Sequence, residues 1–165
     1  MTATTESRRL CDATTPFTAS PELAADLQAV LTDLIELSLQ SKQAHWNVVG
    51  PNFRDLHLQL DELVDLARGG SDTIAERMRA LGATPDGRSA TAAGMNTLPA
   101  FPPGEQHSTI VARLVLGSAT AAVSTMRGIH DAVDAADPST SDLLHALIAG
   151  LERHMWMLAA QLEIT

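Results

Sequence analysis

Residues 42–76, KQAHWNVVGPNFRDLHLQLDELVDLARGGSDTIAE, contain the end of one predicted helix, a sharp break and most of a second helix. The break is Gly50-Pro51, because proline lacks the amide hydrogen that would continue a helix and glycine tolerates a tight turn. Since the connection is short, the two helices are predicted to pack side by side in antiparallel orientation. This hairpin is therefore the first half of a helical bundle.

The outer ends of this hairpin are also marked in the sequence. Ser20-Pro21-Glu22 supplies an N-cap, a proline at the first helical position and an acid in the first turn. From there, apolar residues at helical spacing lead to Trp46. The second helix is predicted from about Phe53 to Leu81, with Asn52 as its N-cap and Gly82 as its end.

A long connection precedes the second half of the bundle. Residues 83–105 are rich in Pro, Gly and Thr and are too long for a hairpin turn, so they are predicted to cross the bundle with one short helix at about 91–95. Two more helices are predicted at about 106–134 and 140–163. Short outer connections with a long middle one predict an all-α, ferritin-like four-helix bundle with a short extra helix in the crossover between helices 2 and 3.

Composition indicates the setting of this domain, which is predicted over residues 20–165 after a flexible tail at 1–19. The chain is 45% hydrophobic but only 3% aromatic, so aliphatic side chains fill its core. Neither a run of 18 apolar residues nor a signal-peptide pattern occurs, which predicts a cytoplasmic protein that does not enter a membrane. The single Cys11 cannot form an intrachain disulfide, and a net charge of -9 repels phosphate backbones.

Residues of metal-ligand type surround the hairpin turn. His45 lies one turn before the end of the first helix and His57 about one turn into the second, so the antiparallel pairing brings them to the same level. On the second helix, Asp61, Asp72 and Glu76 fall within about 100° of His57, on one stripe.

The length of the second helix prevents all of these residues from meeting in one chain. Asp72 follows His57 by fifteen residues, which is roughly 22 Å along a helix axis. Either the residues serve different sites, or two chains cross about a twofold axis near residues 66–67, so that Asp72 and Glu76 of each approach His45 and His57 of the other. Gly69-Gly70 favours the second arrangement, because glycine permits helices to approach closely.

Imidazole nitrogens together with carboxylate oxygens suit iron(II), with manganese and zinc as competitors. An iron(II) ion held by few protein ligands keeps positions open for an oxidant. The alternative is that histidines on apolar helix faces are hydrogen-bonded core residues. That interpretation is applied to the four remaining histidines, which are His107, His130, His145 and His154.

The same residues carry a resemblance to a known family. The chain resembles the Dps family, the ferritin-like DNA-binding proteins from starved cells, in the segments Lys42-Gln43-Ala44-His45-Trp46-Asn47-Val48-Val49-Gly50, Leu56-His57, Asp61-Glu62, Asp72-x-x-x-Glu76-Arg77 and His154-Met155-Trp156-Met157-Leu158. The resemblance implies a twelve-subunit shell that oxidises iron(II), preferably with hydrogen peroxide, and stores ferric mineral. It also implies that His45, His57 and Asp61 are catalytic metal ligands from one subunit, and Asp72 and Glu76 those of its twofold mate.

Two further sites follow from the resemblance by position. Acidic pores near the start of the last helix would admit iron, and Asp134, Asp137 and Asp142 are the candidates, although Asp also favours turns and helix caps. Arg8 and Arg9 are the candidate DNA contacts. The expected function is iron storage and detoxification that protects DNA during oxidative stress and starvation. The alternatives are a nucleoid protein that condenses DNA with secondary metal binding, or a structural helical assembly.

Overall fold

The computed structural model describes residues 17–162, and the regular secondary structure of this part of the chain is helical apart from one short strand pair. The elements in chain order are α1 Pro21–Asn47, β1 Val48–Val49, α2 Phe53–Ala80, α3 Ser89–Met95, β2 Gln106–His107, α4 Ser108–Ala136 and α5 Pro138–Leu162. Four long helices form the bundle, and α3 lies in the crossover between α2 and α4. The predicted all-α, ferritin-like bundle with a short crossover helix is confirmed.

The first helix begins as the sequence predicts, whereas the second begins differently. The Ser20 hydroxyl accepts a hydrogen bond of 3.2 Å from the Leu23 amide, and Pro21 occupies the first helical position. Asn52 makes no side-chain cap hydrogen bond; it adopts a left-handed conformation with φ of 57°. Asn52 therefore occupies the predicted N-cap position without a side-chain cap bond, and it fits there because asparagine tolerates the left-handed conformation better than most residues do.

A two-residue parallel strand pair, β1 with β2, ties the turn of the α1–α2 hairpin to the end of the crossover. Val48 pairs with Gln106 and Val49 with His107. Gly50 follows at φ of 105°, and a Cβ there would lie 2.9 Å from Nε2 of His107. This pairing fixes the end of the hairpin near which His45 and His57 lie.

Aliphatic side chains from the four long helices fill the core, with fully buried leucines on α1, α2 and α5. The helices pack chiefly as two pairs, α1 with α2 and α4 with α5. In the described part of the chain, α4 has the length and composition of a membrane-spanning helix. Its buried residues, however, pack in the bundle core, as those of a core helix do.

A buried carboxylate anchors the crossover to the bundle. Asp33, fully buried in α1, accepts hydrogen bonds from the amide and hydroxyl of Thr97 at 2.7 and 2.8 Å. It also accepts one from the hydroxyl of Thr125 on α4, at 2.6 Å. Three donors compensate for the burial of this polar group. The crossover is therefore held at Thr97 against both helix pairs.

Candidate metal centre

His45 and His57 meet as the hairpin geometry predicts. Their rings stack with centroids 3.6 Å apart and planes inclined by 22°. Nδ1 of His45 donates to the carbonyl oxygen of His57, and Nδ1 of His57 donates to the carbonyl oxygen of His45, each at 2.9 Å. The His45 side chain is buried, and Phe53 lies against His57 with ring centroids 5.1 Å apart.

This reciprocal arrangement decides which nitrogen of each ring is free. A backbone carbonyl only accepts hydrogen bonds, so both Nδ1 atoms carry the hydrogen in the neutral rings. Both Nε2 atoms then keep a lone pair. Metal-binding histidines commonly hold their other nitrogen against a carbonyl or carboxylate in this way, which fixes the tautomer and the orientation of the ring.

Asp61 joins the histidine pair from the next turn of α2. Its Oδ1 lies 3.3 Å from Nδ1 of His45 and accepts a short hydrogen bond from the Lys42 ammonium group. The hydrogen bond from Lys42 is the largest influence on the carboxylate and holds the pKa of Asp61 below its ordinary value. Asp61 is therefore ionised at neutral pH, as a metal ligand must be.

Lys42 is the residue of this site that the sequence reasoning did not assign. It precedes His45 by three residues, about one helical turn, so both side chains lie on the same side of α1. A signal was available, since Lys42 is the sole lysine of an acidic chain and lies within helical reach of the site. Any cation bound by Asp61 has to share that carboxylate with the lysine.

Asp72 and Glu76 do not join this group within one chain. Both are exposed on α2, an uninterrupted helix over Phe53–Ala80, and Asp72 is displaced from His57 by roughly 22 Å along the axis. Within residues 17–162, no three His, Cys, Asp or Glu side chains are arranged to hold a metal ion. The structure places His45, His57 and Asp61 next to one another without a three-ligand arrangement, and it leaves Asp72 and Glu76 apart.

The two glycines of α2 have different surroundings. A Cβ on Gly69 would meet nothing within 4 Å, so this position lies on an open face of the helix. A Cβ on Gly70 would lie 2.7 Å from a methyl group of Leu147, which shows that Gly70 lets α5 pack against α2 inside the chain. Only Gly69 is therefore placed to allow close approach of a second molecule.

The three acids proposed for an iron pore also differ in their surroundings. Asp134 and Asp142 are exposed, whereas Asp137 is buried between α4 and α5. Burial raises the pKa of Asp137, but hydrogen bonds from Thr140 and from Arg77, at 2.5 Å, outweigh it and leave the pKa below its ordinary value. Asp137 therefore has the capping role that the sequence left open, and it joins the start of α5 to α2.

Of the remaining histidines, only His154 is buried, as the core interpretation requires. Its Nδ1 nevertheless has no hydrogen-bond partner among the described residues, and burial lowers its pKa. His107 is exposed, and its Nδ1 accepts a hydrogen bond from the Thr109 amide at the start of α4. His130 and His145 lie at the surface of the α4–α5 pair and contact each other, so the core interpretation is wrong for these three. Cys11, Arg8 and Arg9 lie outside the described residues.

The four-helix bundle defines a class of protein that comparison with known families confirms. Residues 24–165 match the family model described as a ferritin-like domain.

Individual relatives narrow this class further. The chain is 34% identical over 142 residues to the DNA protection during starvation protein of Brevibacillus brevis, covering 86% of this chain and 95% of that protein. It is 36% identical over 141 residues to the fine tangled pili major subunit of Haemophilus ducreyi, covering 86% and 75%. The structure of Dps from Microbacterium arborescens in the high iron form aligns with a TM-score of 0.82 and 33% identity, covering 89% of this chain and 99% of that one. The chain belongs to the Dps family.

Proposed function

We propose that this protein is a ferroxidase whose substrate is iron(II), oxidised preferably by hydrogen peroxide, and whose ferric product is stored inside a twelve-subunit shell. The observation that carries the proposal is the locked pair of His45 and His57. Each Nδ1 is held by a carbonyl oxygen at 2.9 Å, so each Nε2 keeps a lone pair for a metal ion, and the ionised Asp61 lies one turn along α2 from His57. Two imidazoles and a carboxylate form a donor set that suits iron(II).

The site is completed by a second subunit. Asp72 and Glu76 are exposed carboxylates on the same helix, too distant to serve the histidines of their own chain. If two α2 helices cross antiparallel near residues 66–67, beside the open Gly69, Asp72 and Glu76 of the partner subunit approach His45 and His57. Each pair of subunits then contains two equivalent sites.

The residues of the chain have defined tasks in the reaction. Two iron(II) ions each give one electron, and hydrogen peroxide with two protons takes both electrons to become two water molecules. The histidines hold the substrate through Nε2, and the carboxylates balance the charge that iron gains on oxidation. Because both electrons reach peroxide at one site, hydroxyl radical is not released. The protein then protects DNA by removing iron(II) and peroxide, and it does not need to bind and cover the DNA.

The wider setting of this function is also part of the proposal. Asp134 and Asp142 line an iron entrance near the start of α5, where exposed carboxylates concentrate cations. The shell works in the cytoplasm and protects DNA during starvation, as the name of the Brevibacillus relative suggests, and the peroxide chemistry links it to oxidative stress. Direct DNA binding through Arg8 and Arg9 is the weaker candidate, because a charge of -9 per chain repels phosphate.

The test is the double substitution His45→Ala/His57→Ala. Fast peroxide-driven oxidation of low iron(II) loads should disappear, while the size of the assembly, measured by light scattering, stays unchanged. Asp65→Asn is the matched control, since it alters an exposed carboxylate on α2, one turn beyond Asp61. Initial rates that survive the double substitution, or that fall equally in the control, contradict the proposed site.

A further inference from the structure

We infer that His130 and His145 form a second metal site, for a divalent transition ion of the zinc class. His130 lies near the end of α4 and His145 two turns into α5, so the two helices of this hairpin bring the rings to one level. The ring centroids lie 4.6 Å apart, and the two Nε2 atoms are 2.6 Å apart. The proposed iron site, by contrast, lies on the α1–α2 hairpin.

Carboxylates face the opposite nitrogens of both rings. Nδ1 of His130 lies 3.0 Å from Oδ1 of Asp131, and Nδ1 of His145 lies 3.8 Å from Oδ1 of Asp142. The carboxylate of Asp131 favours the hydrogen on Nδ1 of His130, which leaves a lone pair on Nε2 of that ring, whereas Asp142 is too far from His145 for a hydrogen bond. Two lone pairs at 2.6 Å repel each other unless a hydrogen or a metal ion lies between them.

The spacing is close to what one ion requires. Zinc–nitrogen bonds of about 2.0–2.1 Å at a tetrahedral angle place two ligand nitrogens roughly 3.3 Å apart. The rings therefore have to separate by about 0.7 Å, which surface side chains achieve by small torsional changes. The Ser141 hydroxyl, 3.2 Å from Nε2 of His130, is a further oxygen beside the ion.

The surroundings leave room for water to complete the coordination. The rings border a cleft of about 310 Å³ whose other walls include Asp131 and Glu152. Glu152 forms an ion pair with Arg127, so its carboxylate is not an additional unpaired charge beside the ion. Two imidazoles without a thiolate select zinc(II), copper(II) or nickel(II) over calcium or magnesium, and they bind zinc(II) more strongly than iron(II).

Zinc(II) binding to the full-length, assembled His45→Ala/His57→Ala protein tests the inference, because that background lacks the proposed iron site. Calorimetric titration with zinc(II) should give one ion per chain. His130→Ala or His145→Gln should weaken that binding more than about tenfold, and Asp131→Asn by about tenfold, since it removes only the carboxylate behind the ring. His107→Ala, which alters a histidine outside the pair, should change nothing.

A second measurement reports on the helices that the ion would join. Zinc(II) should raise the midpoint of thermal unfolding of the background protein but leave that of the His145→Gln variant in place. Cobalt(II) should give visible absorption bands that the same substitution abolishes. Equal zinc(II) affinity in all variants, or no saturable binding in the background protein, overturns the inference and assigns the short contact to a shared hydrogen.

Discussion

Replacing His45 by two different side chains separates its structural role from its chemical role. In His45→Ala the ring disappears together with both nitrogens. In His45→Asn the amide nitrogen occupies roughly the place of Nδ1 and can still donate to the carbonyl oxygen of His57, but nothing replaces Nε2. The two variants therefore differ by one hydrogen bond and agree in lacking the proposed metal ligand.

The geometry of the histidine pair determines how much the two variants should differ in their free energy of unfolding. The bond from Nδ1 to the His57 carbonyl is 2.9 Å long and the His45 side chain is buried, so its net contribution is about 1 kcal/mol. Loss of the stacked ring as well should bring the cost of His45→Ala to roughly 2–4 kcal/mol. His45→Asn should recover about 1 kcal/mol of this, or about 2–4 °C in the midpoint of thermal unfolding for a chain of this size.

Differential scanning calorimetry and stopped-flow oxidation of iron(II) by peroxide measure the two roles. We expect the asparagine variant to melt above the alanine variant, and both to lack fast oxidation. An asparagine variant with the oxidation rate of the parent would refute Nε2 as a ligand. Equal midpoints of thermal unfolding for the two variants would refute the stabilising hydrogen bond from Nδ1 of His45 to the His57 carbonyl, even if both variants were inactive.

Three further predictions concern neighbouring parts of the chain. The folded pKa of Asp137 lies below its unfolded value, so its ion pair with Arg77 stabilises the protein above about pH 4, and this stabilisation is lost as the pH falls through the folded pKa. At neutral pH, Asp137→Asn should therefore lower the midpoint of thermal unfolding. In acid titrations, the same variant should lose less stability below about pH 4 than the parent does. Asp134→Asn/Asp142→Asn should slow iron uptake at low salt and remove most of its salt dependence, and an unchanged uptake rate would place the entrance elsewhere. Gly69→Leu should disperse the assembly while circular dichroism shows an intact bundle, since a Cβ at that position would meet nothing within 4 Å in its own chain; an undiminished assembly would exclude Gly69 from the interface.

The sequence predicts those features of this protein that depend on local rules. Helical periodicity and the Ser20 cap define α1, and the short Gly50-Pro51 break sets the hairpin that brings His45 to His57. A helix also has a fixed rise per residue, so the separation of Asp72 from His57 follows from the number of residues between them. None of these three features depends on contacts between residues that are distant in the sequence.

Other features depend on contacts between distant residues and could not be predicted in this way. Asp33 reads as a solvated acid within α1, but the crossover supplies donors from Thr97, 64 residues later. His130 and His145 are separated by fifteen residues and by a turn whose geometry sets their alignment. α5 begins at Pro138 rather than at about residue 140, because Asp137 caps it directly after α4.

Complementation between two inactive subunits tests the shared iron site most directly. One subunit carries His45→Ala/His57→Ala and the other carries Asp72→Ala/Glu76→Ala, so each alone lacks part of every site. When they are co-assembled, a mixed pair contains one site with all ligands and one that keeps only Asp61, and fast peroxide-driven iron(II) oxidation should return to about half of the parent rate per mixed pair. If mass spectrometry shows that the subunits have mixed and the oxidation rate stays at that of the inactive parents, the site is not shared between chains.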